Sequence, residues 1–459
     1  MKPLLFGHAR RTITPTVPVS LAGYFNIRMW TGVKDDLYVQ ALALKQDKTL
    51  TVLVHFDLIG VYGEVLDGVR SGCADLAGLK REHILLTGTH THTAPEIRPH
   101  PGWSNPEYNR AVVAQAVACV HDAVAALQPC EKIVYGQASD DRFAFNRRYW
   151  MNTGAVITNP PRCDPGIVRP EGVIDPEIGL LGLAVGGKLQ VLLTSISNHT
   201  DTISGCEVSC DWPGFLRRKL EAAVPGLLVM PLTGASGNIN HFNPHGPAEQ
   251  SGYDIARRIG EGYAESILPV LPKLTESAST DLAVAATAFT TGPREINDNE
   301  LAEAREHAAK YTFDENYTLT SEDLATRSPA ALKYFADRLL KVAADRTHKT
   351  FEVRALGIGD AVIVNLPGEP FVEIGLAIRK ELCKGRPALI ATLNQNAGYI
   401  PNRWNFGRGG YETMPLSSPY SVGTADLLLD AVRKALADLS GRKRAPTRKP
   451  AARKSTRSS

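Results

Sequence analysis

The run Thr87–Pro95, read as Thr-Gly-Thr-His-Thr-His-Thr-Ala-Pro, follows the apolar segment Ile84-Leu85-Leu86 and limits what this chain can fold into. An apolar strand that ends in polar side chains, just before a loop broken by proline, is where an α/β scaffold places its reactive groups. In extended backbone, residues two apart project on one face, so His90 and His92 can enter one cavity while Thr89 and Thr91 point away. Sharing a cavity does not require sharing a metal. One imidazole can ligate an ion while the other serves its surroundings or the substrate, because further ligands usually arrive from distant segments.

The chain has 459 residues, 43% hydrophobic and 22% charged, which suffices for one large or two medium domains with a sizeable core. Met1-Lys2-Pro3-Leu4-Leu5-Phe6 is followed at once by Gly7, His8 and Arg10-Arg11, so no signal-peptide core is read there. No apolar run approaches the roughly 18 residues of a membrane span. The seven cysteines, at 73, 119, 130, 163, 206, 210 and 383, are odd in number and scattered, which argues against a disulfide framework. The expectation is a reduced, cytoplasmic protein.

The formal charge of +3 is concentrated at one end, because residues 441–459 hold eight Lys and Arg and no acid. Without them the body carries 43 basic against 48 acidic residues and is mildly acidic. The tail lacks apolar periodicity and is expected to be disordered. The body shows no basic stripe and no nucleic-acid motif, so no nucleic-acid partner is expected. Residues 1–440 are expected to form one catalytic domain and 441–459 a basic tail.

Alternating and continuous apolar runs place strands along the body. Ala41–Lys45 and Thr51–Asp57 read as a hairpin, as do Leu180–Val185 with Gln190–Ser197 around Gly186-Gly187, and Phe351–Leu356 with Ala361–Leu366. Helical spacing marks Val61–Leu79, Asn105–Leu127, Tyr253–Leu268, Asp298–Tyr311, Ala330–Ala344, Phe371–Cys383 and Ala425–Leu439. Lys132–Gly136, Leu227–Leu232 and Leu389–Asn394 read as further strands. Residues 275–350 are rich in charge and are expected to form an excursion that walls the pocket. The fold class is α/β, with mixed β-sheets flanked by helices.

Further chemistry gathers at strand ends. Ser197-Asn198-His199-Thr200-Asp201 gives a second histidine site, and Pro367-Gly368-Glu369-Pro370 holds a carboxylate at a strand-to-helix turn. Phe143-Ala144-Phe145-Asn146-Arg147-Arg148 sets two arginines beside aromatics, where one can clamp a carboxylate or carbonyl. Ser236, in Gly234-Ala235-Ser236-Gly237, follows a strand but lacks Gly-x-Ser-x-Gly spacing.

Gly7-His8-Ala9-Arg10 with Ile13-Thr14-Pro15, Gly23-Tyr24, Phe56-Asp57-Leu58, Thr89–Pro95, Asn146-Arg147, His199, Pro367-Gly368-Glu369 and Gly398-Tyr399 line up in order with one family. The chain resembles the neutral/alkaline non-lysosomal ceramidases over most of residues 1–440. The resemblance implies a catalytic zinc held by His90, His199, Glu369 and Tyr399, with His92, Arg147 and Tyr411 facing the substrate. Imidazole and carboxylate suit zinc, and a coordinated phenol loses its proton to the metal's charge. The family's Gly-Asp-Val-Ser-Pro loop is replaced here by Gly237-Asn238-Ile239-Asn240-His241, and neither its immunoglobulin-like C-terminal domain nor its export signal is expected.

The activity so implied is zinc-dependent hydrolysis of an N-acyl amide, sphingolipid-like or smaller and more polar than ceramide. Two other readings remain at this point: a serine hydrolase built on Ser236, and a non-catalytic binding protein with a structural zinc at Cys206 and Cys210, a pair that lacks two partners at zinc-ribbon spacing.

Overall fold

The structure, a computed structural model, describes residues 3–25, 27–98, 104–314, 317, 319, 323 and 326–442. Residues 443–459 of the basic tail lie outside the described residues, and the last helix, Thr424–Arg442, runs two residues beyond the expected domain boundary at 440.

The three expected hairpins form. Tyr38–Gln46 pairs antiparallel with Thr49–Phe56, Glu177–Val185 with Lys188–Ile196, and Lys349–Ile358 with Ala361–Asn365. The middle turn is Gly186-Gly187, with φ of 59° and 69°, the left-handed pair that a two-residue hairpin turn demands. Each hairpin is flanked in the same way. A strand precedes it and pairs antiparallel with its first arm: Leu5–Thr12, Lys132–Ser139 and Leu282–Thr291. A helix follows it and leads to a short strand parallel to its second arm: Leu79–Gly88, Leu228–Thr233 and Ala388–Ala391. The chain is thus one supersecondary unit used three times.

The inner faces of the three sheets share one core, to which Leu42, Leu53 and Leu85, then Leu181, Leu193 and Met230, then Leu356, Ile363 and Leu389 contribute. Helices cover each outer face. Gly63–Gly72 and Pro106–Ala125 lie over the first sheet, Asp211–Ala223 and Tyr253–Ile267 over the second, and Val372–Ala377 with Thr424–Arg442 over the third. Apolar side chains on both faces explain the continuous hydrophobic runs of the central strands. Pro106 begins its helix as expected, with the Asn105 side chain accepting from the Glu107 and Tyr108 amides.

The three parallel strands meet at the centre through buried threonines. Thr87 Oγ1 donates to the Thr392 carbonyl (2.8 Å), Thr392 Oγ1 to the Thr233 carbonyl (3.0 Å), and Thr233 Oγ1 to the carbonyls of Gly88 (3.1 Å) and Thr89 (3.0 Å). This closed ring fixes the depth at which the three strands end. His90 and His92 follow directly on the strand that carries Thr87.

Two expectations need correction. Residues 275–350 are not wholly an excursion, because Leu282–Thr291 is a ten-residue strand of the third sheet. Its alanines pack against neighbours rather than forming the helix their propensity favours. The helix expected over 371–383 is split, with α-helical turns at Val372–Ala377 and a π-helical turn at Ile378–Leu382. The rest of the excursion does reach the pocket wall: Phe25 packs edge-on to Tyr334, Phe335 and Tyr411, with ring centroids 6.1, 6.0 and 5.6 Å apart.

Candidate metal centre and active site

The strand Leu79–Gly88 ends before the histidine pair, and His90 adopts a left-handed backbone, φ 68°. The shared cavity therefore does not arise from extended backbone, as the spacing suggested, but from a turn. The His90 amide donates to the Leu58 carbonyl (2.9 Å) and its Nδ1 lies 2.7 Å from the Ile59 carbonyl. A carbonyl only accepts, so Nδ1 carries the hydrogen and Nε2 presents a lone pair to the cavity.

His199, three residues past Lys188–Ile196, is held likewise, with Nδ1 3.4 Å from the Ser236 carbonyl and its own carbonyl accepting from Trp212 Nε1 (2.9 Å). The Nε2 atoms of His90 and His199 face each other at 3.0 Å. His92 completes the group, its ring 5.0 Å from that of His90 and 5.2 Å from that of His199. One nitrogen from each of these three buried imidazoles lies within 4.8 Å of the others, a spacing that can hold a metal ion.

Glu369 enters from the third unit. Gly368 precedes it with φ 58°, and a side chain there would meet the Gly398 carbonyl at 2.5 Å, so only glycine lets the two turns nest. Glu369-Pro370 pairs in parallel with Tyr399-Ile400, which sets Glu369 directly opposite Tyr399. Glu369 Oε2 lies 3.2 Å from His90 Nε2 and 3.9 Å from His199 Nε2, and has no other partner among the described residues.

Arg147 stands beside Tyr399, its guanidinium carbon 5.3 Å from the ring centroid. It is clamped by Glu412, Nε to Oε1 at 2.7 Å, and by the Gly237 carbonyl at 2.7 Å. Tyr411 stacks edge-on to Tyr399 with centroids 5.6 Å apart. All seven residues expected at the site, His90, His92, Arg147, His199, Glu369, Tyr399 and Tyr411, are thereby linked to one another through contacts around a single centre.

Burial, followed by the neighbouring His90, pushes the His92 and His199 imidazoles well below their ordinary value, so both are neutral ligands or bases. Burial alone would raise Glu369, but His90, Arg147 and His92 around it outweigh that and hold its carboxyl below the usual range. Tyr399 is raised well above its ordinary value by burial and by the Glu369 charge.

Four contributors escaped the sequence reading of the site. Asp201 Oδ1 accepts from the Tyr24 hydroxyl (2.7 Å) and lies 3.5 Å from His92 Nδ1. Tyr24 packs edge-on to His92, and Glu412 carries Arg147. His241, buried with neither ring nitrogen hydrogen-bonded among the described residues, is lowered to about 4 by burial. The available signals were adjacency: Asp201 is two residues past His199, and Glu412 follows Tyr411.

The alternative sites gain nothing. Ser236 meets His199 through its backbone carbonyl, and Cys206 and Cys210 belong to no metal-binding group among the described residues. All seven cysteines are free. No helix among the described residues is long and apolar enough to cross a membrane.

The donor set fits a cation. Two lone pairs at 3.0 Å repel unless a positive charge lies between them, and the Glu369 oxygen aimed at both is otherwise orphaned. Imidazoles with their second nitrogens fixed by backbone carbonyls, joined by a carboxylate, are the donors zinc takes.

Neither a protein-family model nor a curated protein matches this sequence. Solved structures do. A ceramidase complexed with C2 superposes with a TM-score of 0.71 at 18% identity, over 96% of this chain and 76% of that one. Neutral ceramidase from Pseudomonas aeruginosa gives 0.71 and 18%, over 97% of this chain and 75% of that one. The three-sheet architecture found here is thus the fold of the neutral ceramidase structures, carried through almost the whole of the chain.

Proposed function

We propose that the protein is a zinc-dependent amidohydrolase that cleaves an N-acyl amide. The observation that carries this reading is the pair of facing Nε2 atoms of His90 and His199, with the Glu369 carboxylate beside them. His90, His199 and Glu369 would hold the metal, with Tyr399 opposite Glu369 as a fourth ligand. When bound, zinc supplies Lewis acidity and lowers the pKa of water toward about 7.

The chain's own residues supply the rest. His92 is neutral, and its Nδ1 faces Asp201, which leaves Nε2 to take a proton from the attacking water and return it to the departing amine. Arg147, charged and held rigidly by Glu412 and Gly237, offers a fixed positive group to the oxygen on which negative charge develops. Tyr411, between Tyr399 and Phe25, orients the substrate against the aromatic wall.

The scissile bond is read as that of the ceramidases, but the loop 237–241 differs from theirs, so the substrate is proposed to be smaller or more polar than ceramide. Discrimination of this kind resides in pocket walls, where one unpaired polar group can cost several kcal/mol. With seven free cysteines, the setting is proposed to be reducing and cytoplasmic. The test follows turnover of the metal-loaded protein on long-chain ceramide in detergent and on short N-acyl amino acids and amines. Chelator-sensitive cleavage of the short amides with higher kcat/KM supports the reading. Preference for ceramide overturns the substrate assignment, and cleavage of none overturns the activity.

A further inference from the structure

Between the helix Gly63–Gly72 and the strand Lys349–Ile358 lies a cavity of about 340 Å³, walled by Tyr62, Arg70, Arg81, Glu352 and Gln395 among others. It is separate from the histidine group. Arg70 and Arg354, each with a side chain only 1% exposed, both direct a guanidinium nitrogen to the same oxygen, Glu352 Oε2, at 2.8 Å. One carboxylate oxygen therefore serves two buried cations. Arg70 Nε and Nη2 and Arg354 Nη1 have no hydrogen-bond partner among the described residues.

Burial, and then repulsion from Arg354, lowers Arg70 to about 10, so it remains charged at neutral pH. Arg81, at the mouth, is paired with Asp67 at 2.6 Å. The group holds three arginines against the two carboxylates of Glu352 and Asp67, leaving one surplus positive charge around the cavity. A buried charged donor left unpaired costs more than a neutral one, and a guanidinium fork matches the geometry of an oxyanion.

We propose that this cavity binds a phosphate group at Arg81 on its mouth, with the buried charges of Arg70 and Arg354 behind it. The volume exceeds that of a free phosphate, so inorganic phosphate and a phosphomonoester share the recognition chemistry. The site backs onto the metal-holding turns: Gln395 Oε1 accepts from the Glu352 amide (2.7 Å), and the Gln395 carbonyl accepts from the amide of Gly368, which precedes Glu369 (2.9 Å).

The test measures thermal unfolding of the full chain against inorganic phosphate, and separately glycerol phosphate, at ionic strength held constant with chloride. A ligand that binds only the folded state raises Tm along a saturating curve. The expected result is such a rise with at least one of the two, with the better ligand naming the source. It should be weakened several-fold in Arg81→Gln and in Arg70→Gln, and retained in His90→Ala, which separates it from phosphate bound at the metal centre. No saturable rise with either ligand overturns the proposal, as does a rise undiminished in Arg81→Gln or lost in His90→Ala. Should Arg70→Gln fail to fold, the exposed Arg81→Gln decides the matter.

Discussion

Arg147 and Glu412 are joined by a fully buried hydrogen-bonded ion pair, Nε to Oε1 at 2.7 Å, and the other oxygen of the same carboxylate binds Arg148 Nη1 at 2.7 Å. Thr158 Oγ1 also donates to that second oxygen, at 2.7 Å. Glu412 thereby fixes the arginine nearest Tyr399 and ties it to Arg148, whose own carboxylate partner is Glu171. Removing one partner of a buried pair leaves an uncompensated charge, so Glu412→Ala should lose about 3–5 kcal/mol of stability. Equilibrium unfolding in denaturant checks this, and an unchanged midpoint would contradict the network as described.

Glu412→Gln keeps the shape and a neutral acceptor but not the charge. It should fold, bind metal, and lose more in kcat than in KM, because the proposed role of Arg147 is to act on charge that develops only in the transition state. A change confined to KM would place Arg147 in ground-state binding instead.

His92 has two readings, since it belongs to the three-histidine group yet neither of its ring nitrogens has a hydrogen-bond partner among the described residues. Acting as the proton carrier, His92→Ala should retain zinc and lose about 10²–10⁴ in turnover, the range for positioned proton transfer. Loss of the metal in this variant would show that the ligand set is the three histidines.

His55, buried on Thr49–Phe56 with neither ring nitrogen hydrogen-bonded among the described residues, is lowered to about 4 by burial. The folded state keeps it neutral, whereas the unfolded chain protonates it near the ordinary imidazole value of 6.5. Its contribution to stability is complete above about 6.5 and is lost as pH falls from there toward about 4. A shift of this size corresponds to on the order of 3 kcal/mol. Denaturation midpoints measured across that window should show the wild type losing stability relative to His55→Leu as pH falls. Parallel curves would contradict the assignment.

The hairpins and most helices were legible because their apolar periods are clean: Thr51–Asp57 and Leu180–Val185 have no competing pattern. The threefold recurrence was not, since its trace is short. Leu86-Thr87-Gly88 and Leu232-Thr233-Gly234 match, but the third unit reads Ala391-Thr392-Leu393, and long insertions of different length separate the units. Leu282–Thr291 was hidden by its alanines. The metal-site residues were found by resemblance, and their meeting depends on backbone the sequence does not announce, above all the left-handed turn at His90. Asp201 and Tyr24 were passed over because they act through His92, and a residue that touches only another side chain leaves no motif of its own.

In the proposed zinc centre, a cation lies between the facing nitrogens of His90 and His199. Metal content of the purified protein, measured by mass spectrometry for the wild type and for His90→Ala and His199→Ala, tests it most directly. About one zinc per chain is expected in the wild type, with most of it lost in each variant and turnover lost on chelation and restored by zinc. Full metal occupancy in either variant, or a wild type that takes up no zinc, would contradict it.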